Sequence, residues 1–94
     1  MRANVAVTVI DRKTATPIQG AVVTLGTSMY TLNQASDPNG RASFIIDVGG
    51  GEAGRHPEEG IPVSLWARKT GYETFMDRFM CFGNQAVIAQ LERM

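Results

Sequence analysis

The stretch that decides the fold of this chain reads Pro17-Ile18-Gln19-Gly20-Ala21-Val22-Val23-Thr24-Leu25. Proline fixes its own φ and glycine tolerates the conformations of a tight turn, so the first four residues predict a turn. In the residues that follow, Ala21, Val23 and Leu25 fall on one face of a strand at period two, while Val22 and Thr24 fall on the other. We therefore expect a strand over residues 20–27 whose Val23 face lies in a core.

The same alternation of side chains recurs along most of the chain. It predicts further strands over residues 4–10, 28–34, 41–47, 61–68, 73–82 and 85–92. Segment 73–82 also fits a helix, because Phe75, Phe79 and Phe82 follow at i, i+4 and i+7. Glycines bound it closely and its residues favour strands, so we predict a strand there. Seven short strands separated by turn signals predict an all-β, seven-stranded antiparallel Greek-key sandwich. Its core is expected to include Val7, Val23, Phe44, Leu65 and Leu91.

Three motifs resemble a known family when they are taken in order. The first is the Pro-Ile-x-Gly-Ala turn quoted above, and the second is Asp37-Pro38-Asn39-Gly40 followed by a strand that carries Phe44. The third is Lys69-Thr70-Gly71-Tyr72-Glu73 between two strands. Together they resemble the carboxypeptidase regulatory-like domains, which have an Ig-like, transthyretin-like sandwich fold. The resemblance runs from Val5 to Leu91 and implies that residues 1–94 form a single domain of this kind.

Composition excludes several classes of partner and location. The 94 residues carry 9 basic and 9 acidic side chains, interspersed and with zero net charge, so the basic face of a nucleic-acid-binding protein is missing. No apolar run approaches the roughly 20 residues of a membrane span. Because a strand pattern begins at the N-terminus, we expect no signal peptide and synthesis in the cytoplasm. Cys81 is the only cysteine, so no internal disulfide forms.

The candidate catalytic and metal-binding residues are isolated. His56 is the only histidine and lies in a glycine-rich loop, Cys81 has no base near it in sequence, and Asp37, Asn39 and Asp47 lack the spacing of a calcium loop. Transthyretin-like hydroxyisourate hydrolases need further histidines and a Tyr-Arg-Gly-Ser tail, which this chain does not have. The internal Lys–Asn bond of collagen-adhesin B-type repeats is not expected either, because no lysine lies on the first strand. We therefore expect no enzymatic activity, no metal and no cofactor.

Two parts of the chain are candidates for partner binding. Residues 49–60 predict a protruding loop whose tip carries Arg55, His56, Glu58 and Glu59. Charges of both signs suit the polar rim of a protein–protein interface. Trp66 and Arg68 alternate away from the core, and the apolar centre of a contact would come from Trp66 or from segment 75–82. For Trp66 three interpretations stay open: it covers a neighbouring strand, contacts a protein, or stacks on a sugar.

These observations favour a non-enzymatic structural or interaction module. We expect an accessory subunit of a larger assembly, such as a decoration protein of a virion capsid or tail or a part of a secretion apparatus. Its partners would be proteins, among them other copies of the chain, with neither nucleic acid nor membrane involved. A carbohydrate-binding β-sandwich module is the alternative, and a hydrolase is the least favoured hypothesis.

Overall fold

The computed structural model describes residues 2–47 and 60–94, and over these residues the chain is all-β. Each predicted strand is found, including a strand rather than a helix in segment 73–82. No helix in the described residues has the length and apolar character to cross a membrane. The strands are β1 (Arg2–Asp11), β2 (Val22–Gly26), β3 (Thr31–Ala35), β4 (Arg41–Asp47), β5 (Ile61–Arg68), β6 (Phe75–Cys81) and β7 (Gln85–Leu91).

The strands form a sandwich of two sheets, as predicted. One sheet has the order β4-β1-β7 and the other the order β3-β2-β5-β6. All the strand pairs are antiparallel except β1 with β7, which run parallel from Val5↔Gln85 to Asp11↔Leu91. This pair differs from the expected antiparallel arrangement. Alternation of side chains reads the same in either direction along a strand, so the pattern carries no information on the direction of a partner distant in sequence.

The core lies between the two sheets and is made by one face of every strand. All five residues predicted for it, Val7, Val23, Phe44, Leu65 and Leu91, are buried. They belong to one cluster that also contains Val5, Val9, Ala21, Leu25, Ile46 and Val63, with Phe75, Phe79 and Val87 packed at its margin. Burial of this apolar surface is the main favourable contribution to folding.

Ser36 stabilises the turn that leads into β2 through hydrogen bonds. Its buried hydroxyl accepts a hydrogen bond from the Ala21 N–H at 2.9 Å and donates one to the Ile18 carbonyl at 2.6 Å. The backbone of Ser36 adds two more bonds, to Gly20 and Ala21. These bonds pair backbone N–H and carbonyl groups of the Pro17–Leu25 stretch that would otherwise be left without a partner. A buried turn requires such pairing of its backbone polar groups.

The Asp37-Pro38-Asn39-Gly40 segment is a turn, as its sequence predicts. The Asp37 carboxylate accepts bonds from the Asn39 and Arg41 N–H groups at 2.8 and 2.9 Å. Gly40 has a positive φ of 77° and lies against β1, where a Cβ would meet the Val9 carbonyl oxygen. The Asp37 carboxylate is therefore used to stabilise the turn, and only glycine fits at position 40.

Gly40→Ala should destabilise the domain far more than Gly71→Ala. Both glycines have positive φ, 77° and 89°, so both alanine variants bear a left-handed conformation that costs roughly 1–2 kcal/mol. A Cβ at Gly71 meets open space, whereas at Gly40 it meets backbone of β1. Urea denaturation of the two variants measures the difference, and equal losses of stability would contradict the close approach at Gly40.

Candidate functional site

One face of the four-stranded sheet points away from the core, and we call it the outer face. Because Val63, Leu65 and Ala67 are buried, the residues that alternate with them on β5 point outward. The strand register places outward residues of β2 and β6 beside them. The outer face comprises Val22, Thr24 and Gly26 of β2, Pro62, Ser64, Trp66 and Arg68 of β5, and Met76, Arg78 and Met80 of β6.

Trp66 lies at the centre of the outer face and is half-buried. It is paired with Thr24 on one side and Met76 on the other. Its ring covers Gly26, because a Cβ built on that glycine would lie 3.3 Å from the indole Cζ3. The first of the three interpretations of Trp66, that it covers a neighbouring strand, therefore describes its position, while part of the indole stays accessible.

Large apolar side chains of β6 extend the outer face to the edge of the sheet. Met76 is 63% exposed, Met80 is also exposed, and so is Phe82, which directly follows the strand. Met76 is paired with Trp66 and Met80 with Pro62, so two apolar pairs flank the Ser64–Arg78 pair. Single exposed apolar residues are normal on proteins, but neighbouring ones mark an interaction surface.

The charges of the outer face have one sign. Arg68 and Arg78 both point outward, and neither forms an ion pair with another residue in the described parts of the chain. Asp77 follows the inward alternation of β6, and its carboxylate accepts the Arg78 N–H at 2.8 Å. No acidic side chain belongs to the outer face as defined. The surface is thus apolar and cationic on a chain whose net charge is zero.

A second group of polar residues lies at the end of the sandwich and was missed by the sequence analysis. Asp11 is 1% exposed and its carboxylate accepts four hydrogen bonds. Its Oδ1 takes the N–H groups of Lys13 and Thr14 at 2.9 and 3.1 Å. Its Oδ2 takes the Tyr72 hydroxyl at 2.9 Å and the Arg93 Nε–H at 2.8 Å. This cluster joins the end of β1 to the turn after β5 and to the residues after β7.

The electrostatics of Asp11 follow from these contacts. The Arg93 guanidinium, together with the backbone N–H of Thr14, holds the pKa of the Asp11 carboxyl well below its usual range, against the opposing effect of burial. The same bond raises the pKa of Arg93, whose guanidinium also lies 5.7 Å from the centre of the Tyr72 ring. A carboxylate with all its partners in place is a structural anchor rather than a proton donor.

A signal for this cluster existed in the sequence. Asp11 continues the inward alternation of Val5, Val7 and Val9, and Arg93 continues that of Ala89 and Leu91. The strand predicted over residues 4–10 ends before Asp11, and acidic residues are rarely buried unless they are paired, so the pattern did not place Asp11 in the core. Two opposite charges that each extend a buried face are therefore a useful sign of an ion pair that holds a buried carboxylate, here Asp11, with a largely exposed arginine, Arg93.

Cys81, which has no base near it in sequence, is buried. Burial raises the pKa of its thiol, and the Sγ–H donates to the Gly83 carbonyl at 3.2 Å. A protonated, enclosed thiol is a poor nucleophile. Among residues 2–47 and 60–94, no three His, Cys, Asp or Glu side chains come together in a group able to hold a metal ion.

The predicted contact residues fall in two places. Trp66 and Arg68 are on the outer face, two positions apart on β5. Arg55, His56, Glu58 and Glu59 lie outside the described residues, as does most of the predicted loop 49–60, so their part in binding stays a prediction.

Comparison with known proteins gives similarity in three-dimensional structure alone. Neither a protein-family model nor a curated protein sequence matches the chain. A 3-chlorocatechol 1,2-dioxygenase from Rhodococcus opacus 1CP matches 99% of the chain with a TM-score of 0.76 and 9% identity. The TIE protein of Bacillus anthracis matches 99% of it with a TM-score of 0.68 and 11% identity. The C-terminal domain of the shaft pilin SpaA from Lactobacillus rhamnosus GG matches the whole chain with a TM-score of 0.68 and 10% identity.

These similarities establish a β-sandwich. The match covers 99% of the pilin domain but 60% of the dioxygenase and 17% of the TIE protein, so in the latter two it describes one part of a longer chain. The same sandwich thus occurs in a structural protein and in an enzyme. Fold alone does not assign a function, which has to be argued from the surface of this chain.

Proposed function

We propose that this protein is a non-enzymatic interaction module that docks onto a protein partner through its outer face. The observation that carries the proposal is the composition of that face: a half-exposed Trp66, exposed methionines on β6, and two arginines with no acidic neighbour on the face. Trp, Met and Arg are the residues enriched in protein interfaces, whereas Lys, Glu and Asp are depleted there. An accessible indole beside an arginine is also the usual composition of an interface hot spot.

The larger setting we propose is an assembly in which the chain is an accessory subunit, such as a virion capsid or tail or a secretion apparatus. The similarity to a shaft pilin domain supports a structural role for a sandwich of this shape. Kinship with the carboxypeptidase regulatory-like domains belongs to the same proposal, since it rests on the order of three short motifs.

The proposal is tested by comparing two substitutions on opposite sides of the sandwich. Met76→Asp changes the outer face, whereas Ile88→Asp changes the outer side of β7, where Ile88 is 62% exposed. Both residues are exposed strand positions, so both variants should fold. Each tagged chain is expressed at native level in its own cells, and extracts are fractionated by size.

We expect the wild-type chain and Ile88→Asp to migrate in a high-mass complex and Met76→Asp to migrate as a free chain. Free migration of all three proteins would contradict the assembly, and high-mass migration of all three would exclude the outer face. Detection of the chain in purified particles at a fixed copy number would then decide between a virion and another assembly.

A carbohydrate-binding module is the second candidate, and one observation favours it. Trp66 is flanked by Thr24, whose hydroxyl donates to the side-chain amide oxygen (Oδ1) of Asn33 at 2.6 Å, while the side-chain NH2 group of Asn33 donates to no other described residue. Aromatic rings beside amide donors are typical of sugar sites. A glycan array probed with the wild-type chain and a Trp66→Ala variant tests it, with Trp66-dependent binding as the expected result.

A further inference from the structure

An open cleft of about 310 Å³ lies at the end of the outer face, beside the register pair Val22–Arg68. It is formed by the turn before β2, by the end of β5 and by the turn that follows it. Two stretches of the chain, residues 20–22 and 68–74, therefore meet at one site. Its polar lining consists of Gly20, Arg68, Lys69, Thr70, Tyr72 and Thr74.

The charge of the cleft is positive and unbalanced. Arg68 and Lys69 both line it, no acidic side chain does, and neither cation has an ion-pair partner within residues 2–47 and 60–94. Two other arginines of the described residues are paired: Arg12 contacts Glu92 at 3.4 Å and Arg93 contacts Asp11. Two adjacent unpaired cations in a concave site attract an anion.

The ammonium group of Lys69 lies close to the backbone of Gly20. The Lys69 side chain is half-buried, and a Cβ built on Gly20 would lie 3.2 Å from its Nζ. The glycine, at a φ of 77°, leaves the room that the ammonium group occupies. The same residue that makes the turn into β2 thus allows a cation to sit at the wall of the cleft.

Hydroxyl groups complete the polar lining, with different roles. Thr70 and Thr74 have no hydrogen bond from their hydroxyls to other described residues, so these hydroxyls are available to a ligand. Tyr72 is different, because its hydroxyl already donates to Asp11 at 2.9 Å. Tyr72 therefore lines the cleft with its apolar ring. The groups able to donate hydrogen bonds to a ligand are those of the two threonines and the two cations.

The position of the cleft relative to Trp66 indicates what kind of ligand fits. Arg68 and Trp66 are two residues apart on β5, so their side chains lie about 7 Å apart along the strand. An extended peptide has the same spacing between residues i and i+2. A carboxylate in the cleft would therefore place the side chain two positions away on the Trp66–Met76 pair.

We propose that the cleft formed by Arg68, Lys69, Thr70 and Thr74 binds the carboxylate of an acidic residue in an extended segment of the protein partner, with an apolar residue two positions away on Trp66 and Met76. A guanidinium offers a carboxylate two parallel N–H bonds, and an ammonium adds a third donor. The carboxylate site rests on the cleft alone, whereas its assignment to a partner protein rests on the proposed function.

The test is a titration of the ¹⁵N-labelled chain followed by NMR. Three probes are compared: the end-capped peptide Gly-Glu-Ser-Leu-Gly, its Gly-Gln-Ser-Leu-Gly counterpart, and sodium acetate. We expect the glutamate peptide to shift the amides of Gly20, Thr70, Thr74 and Trp66 saturably. The glutamine peptide should bind at least about tenfold more weakly, and acetate should shift the cleft amides but not that of Trp66.

The matched variants are Arg68→Gln with Lys69→Gln, and Arg41→Gln as the control, since Arg41 is exposed on β4 of the other sheet. The double variant should bind the glutamate peptide at least about tenfold more weakly, while its spectrum remains that of a folded chain. The Arg41→Gln control should bind the peptide as the wild type does. No shift at the cleft, or equal binding of both peptides, would overturn the carboxylate site.

Acetate binding as tight as the glutamate peptide would overturn the assignment to an extended segment and leave a site for small free carboxylates. These outcomes are separate from the fractionation of Met76→Asp. If the cleft binds no carboxylate, the result of the fractionation still stands. If every chain migrates freely, the result of the peptide titration still stands.

Discussion

Val23→Asp is expected to yield an insoluble or unfolded product. Val23 is 0% exposed and faces the core from β2, which is flanked by β3 and β5 in its sheet. An aspartate there would bury a carboxylate without a partner, which costs several kcal/mol. A small domain has a total stability of about 5–15 kcal/mol, so the substitution removes most of it. The soluble fraction after expression and the far-ultraviolet circular dichroism of any soluble product measure the effect.

Val22→Asp is the matched control for this prediction. Val22 is the preceding residue on the same strand, but it points to the outer face and is 40% exposed. The aspartate can there remain hydrated, so we expect a folded, cooperatively melting protein. Solubility and cooperative melting of Val23→Asp would show that the two faces of β2 are assigned the wrong way round.

Asp11→Asn should lower the melting temperature by more than about 10 °C, which is a large effect for a domain of this size. The asparagine oxygen can still accept the N–H groups of Lys13 and Thr14, which the Asp11 Oδ1 does now. Its amide nitrogen would then face the Arg93 Nε–H, which is also a donor. A bond that joins β1 to the residues after β7 is thereby replaced by a repulsive contact. Differential scanning calorimetry measures the change in melting temperature.

The same group predicts how stability depends on pH. The contacts with Arg93 and Thr14 lower the pKa of the folded Asp11 carboxyl, so the unfolded chain binds its proton at a higher pH than the folded one. The stabilisation is complete above the unfolded pKa of about 4 and is lost as the pH falls towards the lower folded pKa. Melting temperatures measured from pH 7 down to pH 2 should decline less steeply for Asp11→Asn.

Glu92→Gln serves as the control for the Asp11 experiments. Glu92 pairs with Arg12 at 3.4 Å, with both side chains largely exposed, and exposed pairs contribute about 0–1 kcal/mol. Its melting temperature and pH profile should stay close to those of the wild type. A loss as large as that of Asp11→Asn would mean that burial of the carboxylate is not what distinguishes the two pairs.

The strands of this fold were predictable because the chain is amphipathic at period two almost throughout. β4 and β5 begin and end where the alternation does, and Val7, Val23 and Leu65 are buried as the pattern requires. The direction of β7 relative to β1 was not predictable. The two strands are far apart in sequence, and their relative direction depends on how the chain crosses between the sheets.

The candidate site was predictable only in part. Alternation placed Trp66 and Arg68 on an outward face, and the dense apolar segment 75–82 supplied Met76 beside them. The cleft could not be derived in this way, because Gly20, Lys69 and Thr74 come from turns whose spatial relation is set by the whole sandwich. Sequence periodicity describes single strands well and describes a site built between strand ends poorly.

The parallel pairing of β1 with β7 has a mechanical consequence. The two strands lie side by side and run in the same direction, so Arg2 and Leu91 are at opposite ends of the pair. Tension applied to the chain at these two residues would act along the strands and in opposite directions. The hydrogen bonds between Val5↔Gln85 and Asp11↔Leu91 would then bear the load together, in shear, instead of opening one after another from one end.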